Sequence, residues 1–438
     1  MVQSFNVLKG CTFMHTSILL AIFTLFTLTA CSVNTLKQKV TLPSQNINDY
    51  ADNFKTIPTV SLPQTLFEKH FMPWKQESIT LNYEQATWGK QYASQKMYGL
   101  NYKRIDSSWF EEEWNNANFE AFNSLNQKAI TIKNTHLRVF PTSLPLFFNP
   151  HKVAEGFPFD YNQNSGIKIN TPIMISHFSK DKAWAFVQSS FASGFIPTHA
   201  LAKVNETILK AFEKSEYYIA IEDDFSLYKN GVFKEKIKLG TVFPKSQYGN
   251  FFVVNQHANL DGYLQTVTLP HNAVVKNGLA MNAHNIKHII QQLSQEPYGW
   301  GEAFFKRDCS ALTKDYFAAF GVHLNRNSSQ QTKDGTYISL KEFDNATKKN
   351  ILITQGKPFR SLLYLKGHIM LYLGVSANNE PLVFHNMWGI KTYDWLNNEN
   401  RVIVGQAVIT DLEVGKELAG FDSNHSLLSK IEALVIIK

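Results

Sequence analysis

Arg307-Asp308-Cys309-Ser310-Ala311-Leu312, continuing through Thr313 to Phe320 and closed by Gly321, has the spacing of a helix. Leu312, Tyr316, Phe317 and Phe320 recur at helical steps, and Gly321 is a natural stop. Asp308 is a good N-cap, which puts Cys309 in the first turn. A helix N-terminus favours anions, so the Cys309 thiol is expected to ionise below its usual pKa of about 8.5 and to alkylate fast. Thiolate is the nucleophilic form, and Cys309 is the candidate nucleophile.

Such a nucleophile needs a base. Leu362–Leu365, a Lys366-Gly367 turn and His368-Ile369-Met370-Leu371-Tyr372-Leu373-Gly374 read as a hairpin. A second turn, Asn378-Asn379-Glu380-Pro381, leads to Leu382-Val383-Phe384-His385. If these strands face the Cys309 helix, His368 can pair with the thiol and His385 can hold the tautomer of His368. His284 and His288 lie four apart on another predicted helix and share a face. No Glu stands between them as a zinc-peptidase helix would require, so a solvated face is expected. The sequence has no Gly-rich phosphate loop, Cys-pair cluster or basic-aromatic stripe. No metal, cofactor or nucleic-acid partner is therefore expected.

The composition is that of a globular protein of several domains: 438 residues, 44% hydrophobic and 18% charged. The net charge of +7 suits either an anionic polymer or an ordinary solvated basic surface. Only Cys11, Cys31 and Cys309 are present. An apolar run from Ile18 to Leu28 is shorter than the roughly 20 residues of a spanning helix and ends in Leu28-Thr29-Ala30-Cys31. These features resemble a bacterial lipobox, with an uncleaved anchor helix or ordinary cleavage after Ala30 as the alternatives. Residues 1–30 are then a signal peptide, Cys31 the lipidated N-terminus, and Cys309 the remaining free thiol. In a Gram-negative lipoprotein, Ser32 in place of Asp after the cysteine implies sorting to the periplasmic face of the outer membrane.

Residues 31–61 are polar and Pro-punctuated, which suits a tether. Residues 62–128 form an aromatic-rich, mostly helical segment in which Ser108 and Glu111 have capping-box spacing. Residues 129–205 and 215–281 share an order of apolar strand, Trp or Phe strand, then Gly-aromatic-aliphatic, which predicts two small barrels. Residues 282–438 carry the chemistry. The expected fold class is α+β.

Taken together, Tyr298-Gly299-Trp300-Gly301, Asp308-Cys309-Ser310, Asn325-Arg326-Asn327-Ser328 with Gln330, Gly367-His368-Ile369, Tyr372-Leu373-Gly374 and His385 resemble the NlpC/p60 superfamily of papain-like peptidases. The preceding regions resemble the subgroup with an N-terminal stabilising segment and two bacterial SH3-like domains. The resemblance implies thiol-dependent hydrolysis of peptidoglycan stem peptides, between γ-D-glutamate and a diamino acid, by a monomer acting on wall or muropeptides. Tyr298 is then placed near the oxyanion. Asp308 and Ser310 match positions that recognise a free amino end, though capping alone would also account for Asp308. Arg326 either meets a substrate carboxylate or supports its loop. Two departures stand out: Glu302 replaces a usual glycine and is expected to alter the mouth of the cleft, and Asn325 replaces a common proline. A catalytically inactive wall-binding lipoprotein, or an amidase or acyltransferase using the same Cys-His site, are the competing readings.

Overall fold

The computed structural model describes residues 39–438 apart from Thr56 and Pro58. The apolar N-terminal run and Cys31 lie outside the described residues. No described helix is long and apolar enough to cross a membrane.

The C-terminal part is built on a six-stranded antiparallel sheet. Its strand order is Thr336–Ser339, Ala433–Ile436, Ser361–Leu365, His368–Val375, Pro381–Tyr393, Glu399–Asp411. Strand alternation divides its side chains between two cores. Leu362, Ile369, Leu371, Leu373 and Phe384 face one core, with the helices Ala283–Leu293 and Cys309–Ala319. Leu363, Met370, Tyr372 and Val383 face the other, with Leu352 of the helix Asn345–Gln355. The Cys309 helix thus packs on the two strands that carry His368 and His385.

Ahead of this sheet lie two β-units. In the first, seven strands run in the order Gln163–Ile167, Thr135–Arg138, Ser193–Pro197, Trp184–Gln188, Pro172–Phe178, Gln127–Thr131, Leu201–Lys203. They close over Ile173, Ile175, Val187 and Ile196. The second has five strands, Gly262–Val267, Phe251–Gln256, Val242–Lys245, Glu216–Ala220 and Val274–Lys276, with the hairpin Phe225–Lys229/Val232–Ile237 beside them. Phe243, Phe251, Leu227 and Ile237 fill it.

The segment before the β-units is helical in short pieces. Trp74 anchors it, donating its indole N–H to the Ala129 carbonyl at 2.8 Å and packing on Ile130 and Val254, one from each β-unit, and on Phe212 of the helix Glu206–Glu213 between them. The expected cap at Ser108 is not formed: the helix is Ser107–Ala117 with Asp106 at its N-cap and no side-chain cap bond. A reciprocal capping box occurs instead at Asn82 and Gln85.

Residues 40–54, read as part of the tether, are bound to the C-terminal part. Gln45 exchanges hydrogen bonds with the backbone of Ile409 at 2.8 and 2.9 Å. Ile47 is buried, and Phe54 stacks on Phe359 with ring centroids 4.4 Å apart. The polar composition hid these few apolar anchors. His284 and His288 lie on the predicted helix, whose Asn282 cap accepts from the Asn285 N–H. His288 reaches Glu222 of the second β-unit at 2.9 Å. Among the described residues no cluster of three His, Cys, Asp or Glu side chains has metal-binding geometry.

A buried ionic joint fastens the second β-unit to the helix entry. Arg307, 1% exposed, meets Asp223 at 2.8 Å, Glu296 at 3.0 Å and Asp315 at 2.8 Å. Lys238 reaches Asp223 at 2.9 Å and Glu296 at 3.7 Å. Burial works against the Arg307 charge, but the three carboxylates outweigh it and hold its pKa well above the ordinary value.

Candidate active site

Asp308 caps the helix by accepting from the Ala311 N–H at 2.8 Å, so Cys309 is its first residue. The thiol is 8% exposed and is the only free cysteine among the described residues. His368 opens its strand, and His385 lies within the neighbouring one. The His368 Nε2 is 2.7 Å from the His385 Nδ1, and the His385 Nε2 is 3.0 Å from the Thr410 hydroxyl. That chain leaves the His368 Nδ1 as the ring nitrogen free to serve a thiol. Thr410 is diagonal to His385 across the strands, since its direct partner is Val383 and that of His385 is Val408.

Burial dominates the protonation of this group. It pushes the Cys309 thiol up to about 12, with the Asp308 carboxylate adding to the effect. The N–H groups of Ile369 and Ser310 and the charge of Arg326 act in the opposite sense and do not prevail. Burial brings His368 down to about 4 and His385 well below its ordinary value. The resting pair is therefore a neutral thiol beside a neutral imidazole. The helix N-terminus alone had suggested a thiolate.

Of the other expected site residues, Asp308, Ser310 and Arg326 form a compact ionic knot next to Cys309. Arg326 meets Asp308 at 2.8 Å, the Ser310 hydroxyl at 2.9 Å and Glu302 at 3.0 Å. It also donates to the Ser165 hydroxyl of the first β-unit at 2.8 Å, and Ser165 donates to Glu302 at 2.9 Å. Burial raises the Asp308 pKa, but Arg326 and the helix N–H outweigh it and keep the carboxylate ionised below its usual range. Gly301 N–H donates to its second oxygen at 3.1 Å. Every bond of Asp308 is thus made inside the protein.

Glu302 does not shape the cleft mouth as expected. It is buried beneath the first β-unit, and its φ of 62° lies in the left-handed region. Glycine enters that region freely, whereas other residues pay roughly 1–2 kcal/mol. Glu302 is held there by Arg326 and Ser165. Gln163 adds a bond to the Gly301 carbonyl at 2.8 Å, and His136 stacks on Phe305 at 4.4 Å. The first β-unit therefore grips the whole loop before the Cys309 helix.

Two cavities meet at Cys309 and share Tyr298, Trp300 and Gly367. One, about 260 Å³, lies toward Trp88, Tyr161, Asp308, Ser310 and Arg326. The other, about 530 Å³, runs past His368, Asn386 and Trp388. Burial, and then the nearby Cys309 and Asp308, keep the Tyr298 hydroxyl protonated well above its usual range, so it can act as a donor. Asn386 donates to the Arg307 carbonyl at 2.8 Å, tying the second histidine strand to the helix entry. Thr410, Ser165 and Asn386 were not anticipated from sequence, because each enters through strand register or inter-unit contact.

Residues 295–396 match the family model described as NlpC/P60 family, and residues 145–197 match an SH3 domain of the SH3b1 type. An NlpC/P60 endopeptidase of Photobacterium damselae subsp. piscicida has a similar structure, with a TM-score of 0.80 and 24% identity over 91% of this chain and 99% of that one. An NlpC/P60 family protein of Bacillus cereus matches 71% of this chain and 99% of its own at 14% identity, with a TM-score of 0.45. By sequence, no curated protein matches the chain. With the helix-borne cysteine, the paired histidine strands and the two matched regions in one molecule, the chain carries an NlpC/P60 family domain preceded by an SH3b-type domain.

Proposed function

We propose that this protein is a cysteine peptidase that hydrolyses peptidoglycan stem peptides at the γ-D-glutamyl bond to a diamino acid. The supporting observation is the relay from Thr410 through His385 to His368, beside Cys309 at a helix N-terminus in a continuous cleft. In this reading the His368 Nδ1 accepts the thiol proton as sulfur attacks the carbonyl carbon. The His368 Nε2–H then donates to the His385 Nδ1, and the His385 Nε2–H to Thr410. Backbone N–H groups at the helix start and the Tyr298 hydroxyl hold the oxyanion. His368 next gives its proton to the leaving amine as the C–N bond breaks, and water cleaves the thioester to restore Cys309.

The acyl half, with its free amino end, occupies the cavity beside Asp308 and Ser310. Because the bonds of Asp308 are made internally, it acts there as helix cap and partner of Arg326. Arg326 supports the loop from both sides. The second β-unit acts as a second SH3-like domain, and both units limit the cleft to short peptides. A lipid on Cys31 would hold the monomer at the periplasmic face of the outer membrane.

Digestion of defined stem peptides followed by mass analysis tests the reading. Wild-type protein should release the dipeptide and the diamino-acid fragment. Cys309→Ala should lower the rate by a factor on the order of 10³ or more while leaving thermal unfolding nearly unchanged. Full activity in Cys309→Ala would refute the mechanism.

A further inference from the structure

The long hairpin of the strands Pro381–Tyr393 and Glu399–Asp411 ends in Asp394-Trp395-Leu396-Asn397-Asn398. Trp395 is 90% exposed, the most exposed large hydrophobic side chain among the described residues, and Leu396 beside it is 60% exposed. The turn that carries them is ordered. The Asp394 carboxylate accepts from the Leu396 and Asn398 N–H groups at 2.9 and 2.8 Å, and its carbonyl accepts from the Asn397 N–H at 2.9 Å. Behind the turn the Tyr393 N–H donates to the Gly420 carbonyl at 2.9 Å, which holds the hairpin to the body up to its tip. Trp and Leu kept in water by an ordered turn suit a bilayer interface, where an indole sits at headgroup depth and an aliphatic side chain just below it. The flanking charges balance: Lys391 and Arg401, 2.7 and 3.3 Å from Glu399, stand against Glu399 and Asp394. An anionic polymer would call for surplus cations, and a lipid surface does not.

The segment upstream points to the same occupant. Val40 and Leu42 pack on the apolar cluster that includes Ile390 of this hairpin, and the Thr41 N–H donates to the Glu417 carboxylate. Trp395 lies five residues beyond Ile390, about 17 Å of extended strand. Cys31 lies nine residues before Val40, at most about 32 Å of chain. A lipid on Cys31 therefore leaves slack enough for the tip to meet the same bilayer, and too little for the hairpin base to leave its vicinity. We propose that Trp395 and Leu396 seat in that bilayer as a second contact, holding the body in one orientation instead of letting it swing on its tether. The inference rests on the lipidation of Cys31 and not on the peptidase chemistry. Met387 to Lys391 and Arg401 of the same two strands line the larger cleft, so a seated tip also fixes how that cleft is presented.

Vesicles of phosphatidylethanolamine and phosphatidylglycerol with brominated acyl chains, which quench tryptophan on contact, test this with the full chain held by its own anchor. Trp395 is one of eight tryptophans, and its share of the emission should be quenched in the wild type. Trp395→Leu should abolish that component. In the full chain carrying Cys31→Ser, which cannot be acylated, Trp395→Ser/Leu396→Ser should lower vesicle partitioning about tenfold, the scale of two apolar side chains leaving a bilayer, with little dependence on salt. Both side chains are exposed, so the variants should unfold at the wild-type temperature. Quenching indifferent to Trp395, partitioning indifferent to the double substitution, or partitioning that collapses with salt would overturn the proposal. Mass analysis of the N-terminus separates the two readings. An unacylated Cys31 in the wild type sinks the anchor, and partitioning of the unlipidated chain then decides the hairpin by itself.

Discussion

Cys309 shows how two effects of opposite sign compete at one side chain. A helix N-terminus stabilises a nearby anion by about 0.3–1 kcal/mol, and by about 2 in favourable partly buried geometry. Full burial can shift a pKa by several units, each about 1.36 kcal/mol. Burial is the larger effect, and Asp308 reinforces it. The sequence places Cys309 at the helix start; it cannot report the packing that desolvates the thiol. Alkylation of the free protein at pH 7 should therefore be slow. With His368 at about 4, kcat/KM should hold through pH 6 and fall as pH drops through about 4, where His368 becomes protonated and can no longer accept the thiol proton. Thiolate absorbance at pH 6 that disappears in Cys309→Ala would contradict the neutral pair.

At the scale of elements, both histidine strands were legible because turn residues bracket their apolar alternation. Their register was not. The pairing Leu371↔Phe384 brings His385 within 2.7 Å of His368, and a one-residue slip would turn every side chain to the opposite face. The entry to the Cys309 helix is likewise fixed by tertiary contact, through Arg307, which joins Glu296 and the helix's own Asp315 to Asp223 of the second β-unit. Arg307→Met should destabilise the protein by about 3–5 kcal/mol, because Asp223, Glu296 and Asp315 would keep their buried charges without it. Denaturant unfolding measures this, and a loss below about 1 kcal/mol would show that Lys238 beside Asp223 and Lys168, 2.6 Å from Asp315, suffice to balance the joint.

Across the whole molecule, histidines sit neutral at the joints between units. Burial lowers His70 to about 3, His136 to about 4 and His323, whose backbone N–H donates to the Thr65 hydroxyl of the N-terminal segment at 2.9 Å, to about 4. His70 bonds the Asn170 carbonyl at 3.1 Å, and His136 stacks on Phe305. Unfolded, each would titrate near 6.5 and bind more protons than the native state between that value and its folded pKa. Stability should consequently fall as pH drops from about 6.5 toward 4. Below that window the depressed carboxylates Asp223, Asp308 and Asp315 lose their own contribution as they protonate. A melting temperature flat from pH 7 to pH 4.5 would show that these histidines take up protons in the folded state as readily as in the unfolded one.

Local sequence was sufficient for the helix that begins at Cys309, the turns bounding the histidine strands and the two β-rich stretches ahead of them. Helical spacing, caps and alternation are written in neighbouring residues. Tertiary structure alone decided the desolvated thiol, the Thr410 end of the relay, and the knot of Arg326, Glu302 and Ser165. It also decided that residues 40–54 pack on the body and that the larger cleft is basic, with Lys366, Lys391, Arg401 and Lys430 against Glu432. Each of these depends on groups brought together from distant parts of the chain, where burial and unpaired charge become defined only once the units have packed.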